Sequence, residues 1–361
     1  MKILHIGRIK NFCFTGTSVV IPEHVKYQGE YAEVCFVNIN DEKIDGIATQ
    51  LDYGGDIRNA LEKTGKTDLV VFHEVYIKEY LKISAYLRKQ KIPYIIVPHG
   101  CLAKNAQKIK WLKKKIANVV FSPFLRGAAA FQCLSESEVK NFVLKRYKRF
   151  IGANGTLVAA TSKKNFNTDK TNLIYVGRLT PYIKGIDLLL GAIDKEREFF
   201  AENNCRLDIY GPNVFGWEQP ILAEIEEKGL SELVTLHDKV AGAEKEKILL
   251  GADVFVQTSR SEGLPLGVLE ALGYGLPVLI TEGTNMTEIV SRYNAGFTCE
   301  TSVDSIADAL KKAVLERNNY SSISSSAINL IKENFDWEII AKKATEDYRK
   351  IINNTFFGWS K

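Results

Sequence analysis

The chain has 361 residues and a formal net charge of +5, with 45% hydrophobic and 25% charged residues. That length suits two domains rather than one core, and the composition excludes a disordered protein. No apolar run approaches the ~18 residues that a membrane-spanning helix needs, which argues against a transmembrane protein.

The cysteines and the first residues bear on the cellular compartment. The six cysteines contain no C-x-x-C pair, so the sequence indicates neither a disulfide framework nor a zinc site. The opening segment MKILHIGRIKNF has too short an apolar run for a signal peptide. We therefore expect a cytoplasmic protein.

Short apolar runs alternate with longer helical patterns along the chain, which is typical of parallel strands joined by crossover helices. In the first half the predicted strands are 2–6, 32–37, 68–72, 94–97 and 129–133. In the second half they are 173–176, 206–210, 233–236, 254–257 and 278–281. The predicted fold is α/β, with two Rossmann-like, doubly wound parallel sheets.

A basic segment lies in the first half. Residues 101–150 contain twelve Lys or Arg against two acidic residues, a balance of +10. Within it, KNAQKIKWLKKKIANVVF (104–121) repeats apolar residues at 109, 112, 116 and 119, which predicts one amphipathic helix. Lys110, Lys113 and Lys114 lie off that stripe, with Trp111 at its flank.

Three interpretations of this segment stay open. The helix can pack on its own sheet and leave its lysines in water. Alternatively, Lys110, Trp111, Lys113 and Lys114 face an anionic membrane surface, where each basic residue contributes about 1 kcal/mol. Nucleic acid is a third possible partner, but no nucleic-acid motif accompanies the patch, so we expect none.

The domain boundary is expected where IGANGTLVAATSKKNFNTDK (151–170) loses helical periodicity. The predicted domains are 1–155, 156–335 and a terminal helix, 336–361, that returns to the first domain. In an open parallel sheet, ligands bind beyond the carboxyl ends of the strands. The informative turns are therefore FTGTS (14–18), PHG (98–100), GRLTPYIKG (177–185), YGPN (210–213) and SEGLPLG (261–267).

Two cations follow the first strand of the second half. Arg178 lies on the turn and Lys184 at the start of the next helix. Two cations beside a helix N-terminus suit a diphosphate, because the guanidinium fork and free backbone N–H groups act together. The alternative is that both are ordinary solvated surface charges.

Two glutamates follow a later strand. Glu262 stands in SEGLPLG, where small residues let the backbone approach a ligand, and Glu270 lies eight residues on, about two helical turns along the same face. Carboxylates in such places can accept bonds from two sets of sugar hydroxyls. A carboxylate that complements the helix dipole explains Glu262 as well, but it does not explain Glu270 in an otherwise apolar stretch.

At this point the sequence resembles the retaining glycosyltransferases of the GT-B fold, family 4. The resemblance rests on GR-x5-KG, on SEGLPLGVLEALGYGLPV and, less specifically, on the FTGTS and PHG turns. One departure is TEGTNMTEIV, where Thr284 and Asn285 replace the usual Gly-Gly before Glu288. The resemblance implies two Rossmann-like domains that face a cleft: an N-terminal acceptor domain and a C-terminal nucleotide-sugar domain.

The resemblance also implies roles for individual residues. Arg178 and Lys184 would bind the donor diphosphate, Glu270 the ribose hydroxyls and Glu262 the hydroxyls of the transferred sugar. His99 would project toward the sugar, and Gly16 would let the first loop approach the donor or the acceptor. The remaining implied donor contacts are Gly211 and the backbone amides of Gly263, Leu264, Pro265 and Leu266. Base contacts are expected near Lys239 and Val240.

The function implied is a metal-independent, retaining transfer of a hexose or N-acetylhexosamine from a nucleotide sugar, with UDP the expected base. No cofactor is expected, and the sequence has no Asp-x-Asp motif or cluster of metal ligands. The expected acceptor is a growing surface polysaccharide, such as a capsule, or a polyprenyl-diphosphate-linked glycan. This places the protein at the inner face of the plasma membrane.

Other functions stay open. A GT-B epimerase or a phosphorylase-like enzyme would share these motifs, and so would a non-catalytic glycosyltransferase-like partner protein. A nicotinamide-dependent oxidoreductase would share two Rossmann-like halves. That alternative is disfavoured because the first strand is not followed by G-x-G-x-x-G.

Overall fold

The computed structural model describes residues 1–11, 15–108, 110–166, 169–214 and 216–354. The chain forms two compact units. The first unit contains Met1–Gly155 and the chain from Trp337 onward, and the second unit is Thr156–Asp336.

The first unit is built on a parallel sheet. Within the described residues its strands are β1 Lys2–Gly7, β2 Glu33–Asn38, β3 Gln50–Leu51, β4 Leu69–His73, β5 Tyr94–Val97, β6 Ala130–Cys133 and β7 Arg149–Ile151. They lie in the order β3-β2-β1-β4-β5-β6-β7, and every neighbouring pair is parallel. Strands β4 and β5 are buried along their whole length, which explains their continuous apolar sequences.

Helices connect these strands. Up to residue 155 they are α1 Gly16–Gln28, α2 Ile57–Thr64, α3 Glu79–Lys89, α4 Lys104–Lys108, α5 Trp111–Val120, α6 Ser122–Gly127 and α7 Glu136–Asn141. Side-chain caps begin several of them: Asp56 accepts from the Arg58 N–H at 3.0 Å, and Ser135 accepts from the Glu138 N–H at 3.1 Å.

The second unit contains another parallel sheet. Its described strands are β8 Thr171–Val176, β9 Cys205–Tyr210, β10 Val234–His237, β11 Val254–Gln257, β12 Val278–Thr281 and β13 Gly296–Cys299. Their order is β10-β9-β8-β11-β12-β13, again with parallel neighbours. The strand order therefore reverses between β8 and β11, and ligands of open α/β sheets bind at such a switch point.

The helices of the second unit cover this sheet. They are α8 Pro181–Lys184, α9 Ile186–Lys195, α10 Arg197–Glu202, α11 Glu218–Glu227, α12 Gly242–Gly251, α13 Leu266–Gly273, α14 Thr287–Tyr293, α15 Val303–Leu315 and α16 Tyr320–Asn334. Among its described residues, two short 3-10 helices are Glu282–Thr284 and Arg317–Asn319. The last helix, α17 Trp337–Ile352, belongs to the first unit and packs against α1.

The structure confirms the doubly wound α/β prediction. All ten predicted strands are present, with ends that agree to within two residues. Strands β3, β7 and β13 were not predicted. They are short strands at the sheet edges, and they lack the long apolar runs that marked the others.

The prediction of one helix over 104–121 is wrong. Helix α4 ends at Lys108, Lys110 adopts a left-handed conformation with φ of 53°, and α5 begins at Trp111. Ile109, which was assigned to the apolar stripe, lies outside the described residues. The interpretation in which this stripe packs on its own sheet is also wrong, because the side chains of Leu112, Ile116 and Val119 are 56%, 59% and 71% exposed.

Candidate active site

The strongest candidate site lies at the switch point of the second unit. Arg178 and Lys184 follow β8, and Glu262 follows β11, the strand that pairs with β8. Parallel strands bring their carboxyl ends to one edge, so residues far apart in the sequence can meet there. The Lys184 ammonium and the Glu262 carboxylate are 2.6 Å apart.

The Glu262 carboxylate is held by further contacts. Its Oε1 accepts from the Ser259 hydroxyl at 2.8 Å and from the Gln257 amide at 3.2 Å. The side chains of Lys184 and Glu262 remain 12% and 15% exposed, so the pair is largely shielded from water. The shielding strengthens each contact and fixes the carboxylate. Sequence reasoning missed Ser259 and Gln257, although both stand close to Glu262 in the chain.

The backbone around Glu262 is tied to the turn after β12. The Glu262 N–H donates to the Gly283 carbonyl at 2.8 Å. Asn285 adopts a left-handed conformation with φ of 61°, and its amide donates to the Glu262 carbonyl at 2.5 Å and to the Gly263 carbonyl at 3.3 Å. Where the family usually has Gly-Gly, this chain therefore has at position 285 an asparagine. Asparagine tolerates the left-handed conformation, and its side chain adds hydrogen bonds.

Lys184 is positioned by a close approach of two loops. Gly185 has φ of 66°, and a Cβ there would lie 1.9 Å from the Thr258 carbonyl oxygen, so no other residue fits. The Thr258 hydroxyl donates to the Gly185 carbonyl at 2.7 Å. Beside them, Arg260 pairs with Asp187 through two bonds of 2.7 Å. This bidentate pair also joins the two loops, and no sequence motif indicated it.

Arg178 differs from Lys184 because it is exposed. Its carbonyl accepts from the Tyr175 hydroxyl at 3.0 Å and from the Thr180 N–H at 2.9 Å, which fixes the turn. Among the described residues, no acidic group lies within ion-pair distance of its guanidinium. Burial raises the pKa of Tyr175 well above its usual range, with a smaller rise from Glu262 and an opposing effect of Arg178.

Backbone N–H groups of the SEGLPLG turn are available as donors. Within the described residues, the amides of Gly263, Leu264, Leu266 and Gly267 have no protein acceptor. They lie before or in the first turn of α13, where the helix dipole favours an anion. The prediction for Pro265 needs correction, because proline has no N–H to donate.

Glu270 lies on the second turn of α13, whereas Glu262 precedes the helix, so the two are not on one helical face. Its carboxylate pairs with the ammonium of Lys245 in α12, and both side chains are partly exposed. The structure thus places the two glutamates in separate ion pairs. Lys245 could not be found from the sequence, because its partner is set by the packing of α12.

The remaining second-unit predictions lie at neighbouring strand ends. Gly211 follows β9, and a Cβ there would lie 2.0 Å from the Gly177 carbonyl oxygen, which gives this glycine a packing role. Lys239 is exposed and Val240 is half-buried in the segment between β10 and α12. At the end of β10, His237 stacks on Tyr210 with ring centroids 4.3 Å apart.

Two of the residues predicted to contact the substrates belong to the first unit. Gly16 is the first residue of α1, with Thr15 as its N-cap, so it does not lie in the loop. Phe14, from the same FTGTS motif, lies outside the described residues. His99 follows β5, is half-buried and has φ of 48°. The N–H of Gly100 donates to Glu138 at 2.9 Å, and burial raises the pKa of that carboxyl to about 7.

No group of three or more His, Cys, Asp or Glu side chains that could hold a metal ion occurs in the part of the chain that the structure describes. The described helices include none that is long and apolar enough to cross a membrane. The chemistry available at the switch point is that of two cations, free backbone amides and a fixed carboxylate. Such a set binds an anion beside hydroxyl groups.

Comparison with known proteins agrees with this chemistry. Residues 159–330 match the family described as glycosyl transferases group 1. One component of the phosphatidylinositol N-acetylglucosaminyltransferase of Homo sapiens is 28% identical over 190 residues, which are 51% of this chain and 37% of that protein. The match thus spans well under half the length of that curated relative.

Two solved structures share the fold. Sucrose-phosphate synthase of Thermosynechococcus elongatus has a TM-score of 0.78 and 16% identity, covering 98% of this chain and 99% of that one. HepE of Anabaena, in complex with UDP and glucose, has a TM-score of 0.72 and 16% identity, covering 96% of this chain and 98% of that one. At such identities the likeness establishes the GT-B fold alone.

Proposed function

We propose that this protein is a retaining glycosyltransferase that works without a metal ion. Its residues 159–330 match the family of glycosyl transferases group 1, and its fold is GT-B. The observation that carries the proposal is the Lys184–Glu262 pair at the switch point, beside Arg178 and free amides of the SEGLPLG turn. The second unit would bind the donor, and the first unit would bind the acceptor.

In the proposed reaction, the bond between the sugar C1 and the diphosphate oxygen breaks while C1 bonds to the oxygen of an acceptor hydroxyl on the same face. The proton of that hydroxyl passes to the departing diphosphate. The leaving diphosphate gathers negative charge, which Arg178, Lys184 and the amides of Gly263 and Leu264 would stabilise. Glu262 would bind sugar hydroxyls rather than attack C1, because Ser259, Gln257 and Lys184 already engage its carboxylate.

For the donor we propose a UDP-hexose or UDP-N-acetylhexosamine. UDP is bound by HepE, and N-acetylglucosamine is the sugar named for the human relative. Glu270 would accept from the ribose hydroxyls, with Lys245 holding the carboxylate in place until the donor arrives. Lys239 and Val240 would lie near the base.

For the acceptor we propose a glycan or sugar carried on a lipid, as in surface polysaccharide synthesis. Phosphatidylinositol is named for the human relative, which supports a lipid acceptor. The first unit also exposes an apolar face on α5, made of Trp111, Leu112, Ile116, Val119 and Val120. Lys110, Lys113 and Lys115 are exposed beside it. Apolar side chains flanked by cations suit an anionic membrane surface.

The opposite side of α5 contacts its own unit. Asn118 accepts from the Tyr76 hydroxyl at 2.6 Å, and Lys114 donates to the Ala106 carbonyl. Because the Ala106 carbonyl engages the Lys114 ammonium, the proposed membrane surface contains Lys110, Trp111 and Lys113 and leaves out Lys114. Peripheral attachment to the cytoplasmic leaflet would follow.

A thermal-shift screen against UDP, GDP, ADP and TDP, each with and without EDTA, tests the donor site. Saturating UDP should raise the melting temperature by several degrees, since ligand at about 100-fold excess over Kd adds about 2.7 kcal/mol. EDTA should not change the shift. Lys184→Ala should abolish it, and Lys195→Ala, which removes a surface lysine of the same unit, should not. The absence of any shift would contradict the proposal.

Flotation with vesicles tests the membrane surface. The protein should bind vesicles that contain phosphatidylglycerol and should not bind pure phosphatidylcholine. Leu112→Ser combined with Ile116→Ser should release it, whereas Leu315→Ser, at a similarly exposed leucine of the second unit, should not. Equal recovery of all three proteins with the vesicles would contradict this surface.

A further inference from the structure

The first unit contains an unbroken line of histidine rings. His5 on β1 and His73 at the end of β4 are fully buried, and the His5 Nδ1 lies 2.9 Å from the His73 Nε2. The His73 Nδ1 in turn lies 3.0 Å from the His99 Nε2. Consecutive ring centroids are 5.2 and 5.3 Å apart. The line therefore runs from the interior of the sheet to the half-buried turn after β5.

A carboxamide at the inner end decides the direction of these bonds, because its oxygen can only accept and its nitrogen can only donate. The Gln28 Nε2 donates to the His24 Nδ1 at 3.2 Å, and the His24 Nε2 donates to the Asn154 Oδ1 at 3.2 Å. Gln28 therefore turns its Oε1 toward His5.

The direction passes from Gln28 along the rings. With its Nε2 so placed, the Gln28 Oε1 faces the His5 Nε2 at 3.0 Å and accepts from it. A neutral histidine carries one N–H, so the His5 Nδ1 must accept from the His73 Nε2. By the same rule the His73 Nδ1 accepts from the His99 Nε2. The Nδ1 of His99 is left as an acceptor, and among the described residues no protein donor reaches it.

We propose that His5 and His73 are positioning residues that hold His99 as its Nε2–H tautomer, so that the Nδ1 of His99 accepts a hydrogen bond from a hydroxyl group of the substrate. The identity of that ligand rests on the proposed glycosyl transfer, whereas the tautomer does not. If the His99 ring could switch between its two neutral tautomers, its Nδ1 would be an acceptor in only a fraction of the molecules. The relay keeps the Nδ1 unprotonated in all of them.

Other contacts agree with a fixed, neutral His99. Burial, with a smaller effect of the charge of His24, lowers the pKa of His99 to about 3. The bond from the Gly100 N–H to Glu138 holds the backbone of the turn. His24, which is as buried as His5 and His73, holds the Gln28 amide on the side away from His5.

Long-range 1H–15N correlation spectra of the full-length, histidine-labelled protein at pH 7, without substrate, test the tautomer directly. His5, His73 and His99 should each show the neutral Nε2–H pattern, with resonances assigned by single substitutions. His237 is partly exposed beside Asp208 and serves as the reference. An Nδ1–H or cationic His99 in the wild-type protein would overturn the proposal.

Two variants test the relay itself. Gln28→Leu removes the anchoring amide with little change in volume, and His73→Phe removes the link to His99. Each should give His99 a mixture of tautomers and lower kcat/KM about tenfold, with most of the loss in kcat, as for loss of an orienting partner. Tyr94→Phe, which removes a buried hydroxyl of the same unit outside the line, should leave the His99 pattern unchanged. An unchanged His99 pattern in Gln28→Leu would overturn the relay.

The two arms separate the relay from the proposed function. The spectra need no substrate and no turnover. A wild-type protein with the expected His99 pattern that binds no nucleotide sugar would overturn the glycosyltransferase assignment and support the relay. A protein that transfers sugar but shows a cationic or Nδ1–H His99 would support the assignment and overturn the relay.

Discussion

The two units use the switch points of their sheets in opposite ways. In the first unit, the strands on either side of the reversal, β1 and β4, carry His5 and His73, which burial keeps uncharged. In the second unit, the loops after β8 and β11 carry Lys184 and Glu262, which pair as charges and keep some contact with water. The same topology thus builds a neutral relay in one sheet and an ion pair in the other.

The difference follows from how completely each group is buried. A fully buried charge without a partner is costly, so histidine gives up its proton and joins a network of neutral bonds. A charge at the mouth of a helix can keep its proton state when an opposite charge and several dipoles surround it. The neutral relay orients the His99 ring. The ion pair holds the charged Lys184 side chain where it can bind a diphosphate.

The largest effect is expected from breaking the charged arrangement with Glu262→Ala. Turnover should fall by about 10²- to 10³-fold, the range seen when one preorganised contact to a transition state is removed. The variant loses the proposed sugar contact and also frees Lys184 from its partner. Release of UDP in the presence of acceptor measures it, with Glu232→Ala, an exposed glutamate of the same unit, as the control. Full activity of Glu262→Ala would refute the role of this carboxylate.

A smaller effect is expected from acid on the neutral arrangement. Burial lowers the pKa of His5 to about 3 and of His24 to about 4, whereas in the unfolded chain each has a pKa of 6.5. The unfolded state therefore binds more protons as the pH falls below 6.5. Each of these two histidines should therefore lower the free energy of unfolding by about 2 kcal/mol when the pH falls from about 7 to about 5.

Glu138 acts in the opposite direction. Burial raises its pKa to about 7 from 4.5, so the folded state takes up a proton first and recovers about 2 kcal/mol over the same interval. The expected net loss from His5, His24 and Glu138 together is about 2 kcal/mol, and in Glu138→Gln about 4 kcal/mol. His73 and His99, whose pKa values burial also lowers, add to both losses. Hydrogen exchange of β1 and β4 at the two pH values measures it. Greater stability at the lower pH would contradict neutral, buried histidines.

The charged arrangement was easier to predict than the neutral one. Arg178, Lys184 and Glu262 lie in short glycine-containing turns after strands. The apolar runs of the sequence predict those strands, and ligands of open parallel sheets bind beyond their carboxyl ends. The relay has no such pattern. Its members come from positions 5, 28, 73 and 99, and each is a single polar residue within or beside an apolar run. Only His99 was predicted, from its turn and the family resemblance.

Partners set by packing were also out of reach. Lys245 meets Glu270 because α12 packs beside α13, and Asn285 reaches Glu262 because the turn after β12 folds over the SEG turn. The exposed apolar face of α5 misled the prediction for a related reason. Helical periodicity shows that one side is apolar, but it does not show which side meets the protein.

The smallest effect is expected from Asn285, whose contacts join the two turns around Glu262. Asn285→Ala loses its bonds to the Glu262 and Gly263 carbonyls and places a Cβ-bearing residue without a polar side chain at φ of 61°. Asn294→Ala has the same backbone problem at φ of 52°, without those bonds, and serves as the control. Urea unfolding of the second unit should show Asn285→Ala to be less stable than Asn294→Ala by about 1 kcal/mol, the value of one hydrogen bond. Asn285→Gly should relieve the backbone strain of the alanine variant, but it should not restore the two side-chain hydrogen bonds. Equal losses in the two alanine variants would mean that the amide of Asn285 adds nothing, and that position 285 is fixed by its backbone conformation alone.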